Sequence, residues 1–308
     1  MTVQDAFIHE IPTSCVRLVG SMTALITPMT EDGAVSFDAF GQLIEAQIAG
    51  GTDVLVPAGT TGESPTLSHD EHGRVVAFAV ERSNGRVPVM AGAGSNSTRE
   101  AVELARHAAA VGANAVLVVT PYYNKPTQEG LYRHFMMVAD ATDLPLFVYN
   151  IPGRSVVDVS NETMARLARH PNIVGVKDAT ANLARPLQMR QMIGAGFVQL
   201  SGDDATTLPY LAAGGHGCIS VTSNLAPATC ARMHRAWREG RFADALALHL
   251  RLMPLHETLF CEASPGPVKY LAQRLGIGTS ALRLPLVEPK DASRALLDAA
   301  LQAAGLPE

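Results

Sequence analysis

The sequence predicts a (β/α)8 TIM barrel with a C-terminal helical appendix. Three observations carry that expectation. About eight short, near-continuously apolar runs recur every 20–35 residues or so, as strands covered on both faces should. Each run ends in a loop rich in Gly, Pro, Ser or Asn and is followed by an Ala/Leu-rich amphipathic segment, the alternation that builds a parallel sheet with right-handed crossovers. No run opens a helix through G-x-G-x-x-G, which disfavours the open doubly wound alternative; AGAGSN at Ala91–Asn96 comes nearest and reads as a tight turn.

The strands are expected at Met22–Ile26, Asp53–Pro57, Val87–Ala91, Ala115–Val119, Pro145–Tyr149, Ile173–Lys177, Phe197–Ser201 and Gly217–Ser220. Between the second and third, Ser68 and Glu71 have the spacing of a capping box and start a helix. The eighth unit ends near Trp237. The remainder has no strand signal and reads as helices over Phe242–Leu259, Val268–Leu275 and Ala292–Ala304. The expected division is an N-terminal extension (1–19), the barrel (20–240) and a C-terminal helical region (241–308).

With 308 residues the chain can bury a large core without disulfides or metals. Charged residues make up 17% and hydrophobic ones 47%, too apolar for a disordered chain. The net charge of −5 gives no reason to expect nucleic acid or an anionic membrane as partner. No apolar stretch approaches the ~18 residues of a membrane span, and the N-terminus lacks a signal-peptide pattern. Cys15, Cys218, Cys230 and Cys261 form no CxxC pair and have no zinc spacing. Reduced thiols in a cytoplasmic protein are expected.

In such a barrel the loops after the strand C-termini build the active site. Those loops are rich in hydroxyls, glycines and phenols. Lys177 ends the apolar run IVGVK, and the chain has only four lysines. Burial favours the neutral amine, which can attack a ketone and form a Schiff base, as arginine cannot. The competing reading is a lysine snorkelling to solvent at a strand end. Thr60 and Thr61 stand between Gly59 and Gly62 on a loop suited to a carboxylate. Tyr122, Tyr123 and Tyr149 fall at strand ends, where phenols can relay protons. Arg154 follows Pro152 and Gly153 in a stiff turn and can fork onto a carboxylate. His69 and His72 lie i, i+3, but HExxH and a third ligand are missing, so no metal site is expected.

GTTGES, TPYYN, YNIPGR, VGVKDAT, SGDD and GGHGCISVT occur in this order at barrel-loop spacing. Together they resemble the dihydrodipicolinate synthase (4-hydroxy-tetrahydrodipicolinate synthase) family, pyruvate-dependent class I aldolase-type lyases related to N-acetylneuraminate lyase. The resemblance runs from about Gly20 to the C-terminus. It implies a Schiff base between Lys177 and pyruvate, with no cofactor, and condensation with aspartate semialdehyde at the entry to diaminopimelate and lysine. It implies that Thr60 and Thr61 hold the pyruvate carboxylate and that Tyr149 is the central acid/base. Thr61 then links Tyr149 to Tyr123, which reaches into a neighbouring subunit's site. Arg154 binds the semialdehyde carboxylate, and the backbone around Gly202 and Ile219 lines the site. The resemblance further implies a homotetramer, a dimer of dimers, with lysine as feedback inhibitor at Ser64, His69, His72, Asn96, Glu100 and Tyr122. The sequence departs from the family at Pro65, where a small residue is usual, and at Asp178, where Glu is common. About 16 residues precede the usual start. The rival readings are a sugar-acid lyase or dehydratase of the N-acetylneuraminate lyase type, a silent barrel that senses lysine or pyruvate, and a metal-dependent aldolase.

Overall fold

A computed structural model describes residues 13–306; most of the expected N-terminal extension, residues 1–12, and the last two residues lie outside them. Eight strands form one parallel sheet: β1 Gly20–Ala24, β2 Val54–Val56, β3 Met90–Gly92, β4 Ala115–Val119, β5 Leu146–Asn150, β6 Ile173–Asp178, β7 Val198–Ser201 and β8 Gly217–Ser220. Their order is β2-β1-β8-β7-β6-β5-β4-β3. A parallel bridge between Leu55 and Val89 joins the two ends and closes the barrel. This seam is short because Pro88 has no N–H to donate; its carbonyl accepts Leu55 N–H at 3.0 Å instead.

Side chains alternate along the strands with period two. One set (Met22, Ala24, Val54, Val56, Met90, Ala115, Leu117, Phe147, Tyr149, Val198, Leu200, Ile219) fills the barrel interior, with Leu18 and Val19 packed on it from the chain start. Gly175 makes room for Phe147, whose ring lies 2.6 Å from where a Cβ would stand. The opposite set packs against the surrounding helices in a larger apolar layer.

Helix starts follow local chemistry. Ser36, Ser68, Thr127 and Ser160 each accept a backbone N–H at their helix N-termini, and Ser68 with Glu71 completes the expected capping box. After the last barrel helix, Pro227–Arg238, come helices Phe242–Thr258, Gly266–Arg274 and Asp291–Ala303. They pack on one another, on the 227–238 helix and on the turn after β8. Trp237, the sole tryptophan, meets the Phe242 ring at 4.7 Å where barrel and appendix join. Cys218, Cys230 and Cys261 are free thiols. No described helix is long and apolar enough to cross a membrane.

Candidate active site

Lys177 lies on β6, directly beside Tyr149 of β5 and Leu200 of β7 in the sheet register. Both Lys177 and Tyr149 are 6% exposed. The Lys177 Nζ sits 4.0 Å from the centroid of the Tyr149 ring, and no acidic partner meets it among the described residues. Gly202, just past β7, leaves the space that the lysine stem occupies: a Cβ there would lie 3.0 Å from Lys177 Cε. Ile219 of β8 belongs to the same interior cluster as Tyr149.

The neighbouring Asp178 faces the other way, into the helix layer. Its carboxylate accepts Thr180 N–H at 3.0 Å and lies 3.6 Å from Arg185 Nε; burial pushes its pKa up. Arg185 also donates to Asp158, which accepts an N–H from the Asn150 side chain at 2.7 Å. The ends of β5 and β6, and hence Tyr149 and Lys177, are thereby tied together from behind.

The Gly59–Leu67 segment is a series of tight turns. Gly62 and Glu63 N–H groups donate to the Gly59 and Thr60 carbonyls at 3.1 Å each, and Thr27 Oγ1 donates to the Gly62 carbonyl at 2.7 Å. Thr61 is 5% exposed and Thr60 half-buried. Thr60 and Arg154 line one cleft of about 190 Å³ together with Ser64, Pro65, Tyr122 and Ser155. Val119 and Ile151 form its wall and pack on the cluster that holds Tyr149. The Arg154 side chain is exposed and has no acidic partner among the described residues, so it can take a ligand carboxylate.

Tyr123 stands apart. It is 90% exposed, with a left-handed backbone (φ 68°), and does not meet the other expected catalytic residues within this chain. The expected regulatory residues gather at the adjoining loop ends. His69 and Ser95 both hydrogen-bond the Glu100 carboxylate, and the Ser95 hydroxyl is the largest cause of its lowered pKa. Burial holds His72 down to about 4, and burial together with the Glu100 charge raises Tyr122. Asn96 offers its carbonyl to the Asn124 amide at 2.8 Å. His69 and Glu100 also line a second cleft of about 170 Å³. Among the described residues no group of three or more His, Cys, Asp or Glu side chains is arranged to hold a metal ion.

Sequence reasoning assigned no role to Glu63, Lys269, Asp204 or Arg283. Asp204 accepts Ser220 Oγ–H and Val221 N–H, the latter at 2.8 Å, and so fixes the turn after Ile219. Lys269 was legible only as a lysine inside an apolar helix.

Residues 17–304 match a family model described as the dihydrodipicolinate synthetase family. The chain belongs to this family. A relative in Gluconobacter oxydans, a 4-hydroxy-tetrahydrodipicolinate synthase, is 65% identical over 283 residues, 92% of this chain and 95% of that one. The fold is shared with a chloride-inhibited dihydrodipicolinate synthase from Acinetobacter baumannii, solved with pyruvate: 43% identity, TM-score 0.92, covering 94% of this chain and 99% of that one. A family member from Cyanidioschyzon merolae, solved with lysine bound, is 38% identical with TM-score 0.89, covering 94% of this chain and 99% of that one.

Proposed function

We propose that the chain is a 4-hydroxy-tetrahydrodipicolinate synthase that condenses pyruvate with aspartate semialdehyde. The observation that carries the reading is Lys177: a buried amine without an acidic partner among the described residues, against a buried phenol, at the mouth of a family barrel. Lys177 Nζ attacks C2 of pyruvate, and water leaves as the imine forms. Loss of a C3 proton gives the enamine, whose C3 bonds to the aldehyde carbon of the semialdehyde. The semialdehyde amine then attacks C2, closing the ring and releasing Lys177.

Tyr149 carries protons to and from these centres, with Thr61 as its hydroxyl partner. Thr60 and Thr61 hold the pyruvate carboxylate, and Arg154 holds that of the semialdehyde. Gly202 and Ile219 shape the floor. Tyr123 completes the relay in a second subunit, which accounts for a bulky, exposed side chain on a left-handed backbone. The assembly is a homotetramer, a dimer of dimers, in the cytoplasm, and the covalent imine replaces any metal or organic cofactor. Lysine inhibits through Ser64, His69, His72, Asn96, Glu100 and Tyr122, a reading supported by the lysine-bound relative and by the place of Glu100, with His69, on the wall of a cleft. Residues 20–240 act as the catalytic unit and 241–308 as its support.

The decisive experiment is turnover with pyruvate plus aspartate semialdehyde beside pyruvate plus N-acetylmannosamine, with borohydride trapping of the pyruvate adduct. Turnover of the first pair and a reduced pyruvate on Lys177, absent in Lys177→Ala, are expected. A labelled and active Lys177→Ala would refute the assignment, and strong inhibition by EDTA would restore the metal-dependent reading.

A further inference from the structure

Glu63 and Lys269 form an ion pair that the chemistry above does not use. Both side chains are 0% exposed. Lys269 Nζ donates to Glu63 Oε1 and, at 2.8 Å, to the Ala281 carbonyl. The other Glu63 oxygen accepts the Arg283 N–H at 3.2 Å. Burial pulls the Lys269 ammonium below its ordinary pKa in spite of the Glu63 charge. A buried pair of this kind is commonly no more stable than an apolar pair of equal volume, so stability alone is a weak reason for it.

Its position supplies a better one. Glu63 is two residues past Thr61 and has a left-handed backbone, φ 57°, that a residue with a Cβ holds only when its surroundings impose it. Its own backbone closes the loop: the N–H donates to the Thr60 carbonyl at 3.1 Å, and the carbonyl accepts Thr66 N–H at 2.9 Å. Arg283 secures the downstream end, donating to the Thr66 carbonyl and to Glu71 at 2.7 Å each. The turn that presents Thr60 and Thr61 is therefore plugged by its own side chain into helix Gly266–Arg274 and the segment after it.

We propose that Lys269, through Glu63, is a positioning residue for the Thr60–Thr61 carboxylate cradle, so that the C-terminal region sets the affinity of the barrel site for a small 2-oxo acid. The identity of that acid rests on the reading above; the clamp itself does not.

The test uses the full-length enzyme carrying Lys269→Met, which keeps the stem and removes the charge, and Glu63→Gln, which keeps the shape. The pyruvate KM should rise at least about tenfold, equivalent to ~1.4 kcal/mol, while kcat at saturating pyruvate falls far less. Amide hydrogen exchange over Gly59–Thr66 should quicken by at least about tenfold while that of Ala184–Ile193 stays at the wild-type rate. A lower melting temperature with both KM and Gly59–Thr66 exchange unchanged would make the pair merely structural and overturn the proposal. Should Lys269→Met fail to fold, Glu63→Gln gives the same two readouts. If wild-type enzyme takes no borohydride label from pyruvate, the substrate reading falls, and the exchange measurement still decides the clamp.

Discussion

Replacing Gly202 by alanine adds a single methyl group at the most sensitive place in the site. The new Cβ would lie 2.8 Å from Ala179 Cβ, 3.0 Å from Lys177 Cε and 3.2 Å from Lys177 Cγ. Carbon atoms are comfortable at about 3.5–4.0 Å, so three contacts are too close. The backbone there lies outside the left-handed region, and its N–H bond to the Asp178 carbonyl at 2.7 Å involves no side chain. The substitution therefore tests the clash alone. Overpacking of this size costs about 1–3 kcal/mol. Rotation of the flexible lysine stem relieves the two Lys177 contacts and displaces Nζ, while the Ala179 contact takes a small shift of the adjoining backbone. A misplacement of about 1 Å can cost on the order of 10²-fold in rate. Schiff-base formation in Gly202→Ala should thus slow by about 10- to 100-fold while the protein stays folded. The assay is the time course of borohydride-trapped pyruvate on Lys177 by mass spectrometry, with a thermal melt as control. Trapping at the wild-type rate would refute the claim that Gly202 holds the space for the reacting lysine.

Tyr123→Phe should fold normally and lose roughly 10²–10⁴-fold in turnover; mixing it with Lys177→Ala subunits should restore part of the activity, and failure to complement would place the whole site in one subunit. Glu100→Ala should raise the inhibitory lysine concentration at least about tenfold with little change in pyruvate KM, because the ligand ammonium loses a charge-assisted partner; unaltered lysine inhibition in steady-state assays would remove Glu100 from the regulatory site. Acid should destabilise the fold through its buried histidines. Burial lowers His72, His134 and His216 from 6.5 to about 4 and His234 to about 3. The stability that each neutral ring contributes is complete above pH 6.5 and is lost as pH falls through that window. Each is worth on the order of 3 kcal/mol. Urea midpoints measured from pH 7.5 to 4 should therefore fall steeply below 6.5, and a flat profile would contradict the burial of these rings.

The barrel was legible because strands buried on both faces leave unbroken apolar runs, and the centres of all eight were found. Their edges were less clear where glycine serves a strand rather than a turn. Strand β1 begins at Gly20, two residues before the expected Met22, because Gly20 and Gly217 pair so closely that a Cβ on Gly217 would lie 2.4 Å from the Gly20 carbonyl oxygen. Strand β3 slides from the expected Val87–Ala91 to Met90–Gly92: Pro88 cannot donate, and Gly92 admits the Ala58 carbonyl to within 2.2 Å of a notional Cβ. At the candidate site, the scarcity of lysine drew attention to Lys177 without displacing the snorkelling alternative, and the family motifs made the difference. The same scarcity pointed equally to Lys269, but its partner lies 206 positions away in the chain, and no periodicity or local motif reports such a pairing. Tyr123 illustrates the converse: its motif was plain, yet its side chain is 90% exposed and meets none of the other candidate residues among those described.

The contact between Trp237 and Phe242 has a practical consequence. With one indole in each chain, ultraviolet emission excited at the red edge comes from a single place: the joint between the last barrel helix and the appendix. Undocking of the C-terminal helices would expose that half-buried ring to water and shift its colour while the far side of the barrel still gave its native circular dichroism. The molecule thus carries an intrinsic optical probe, needing no label, that can separate loss of the appendix from loss of the barrel in a single titration.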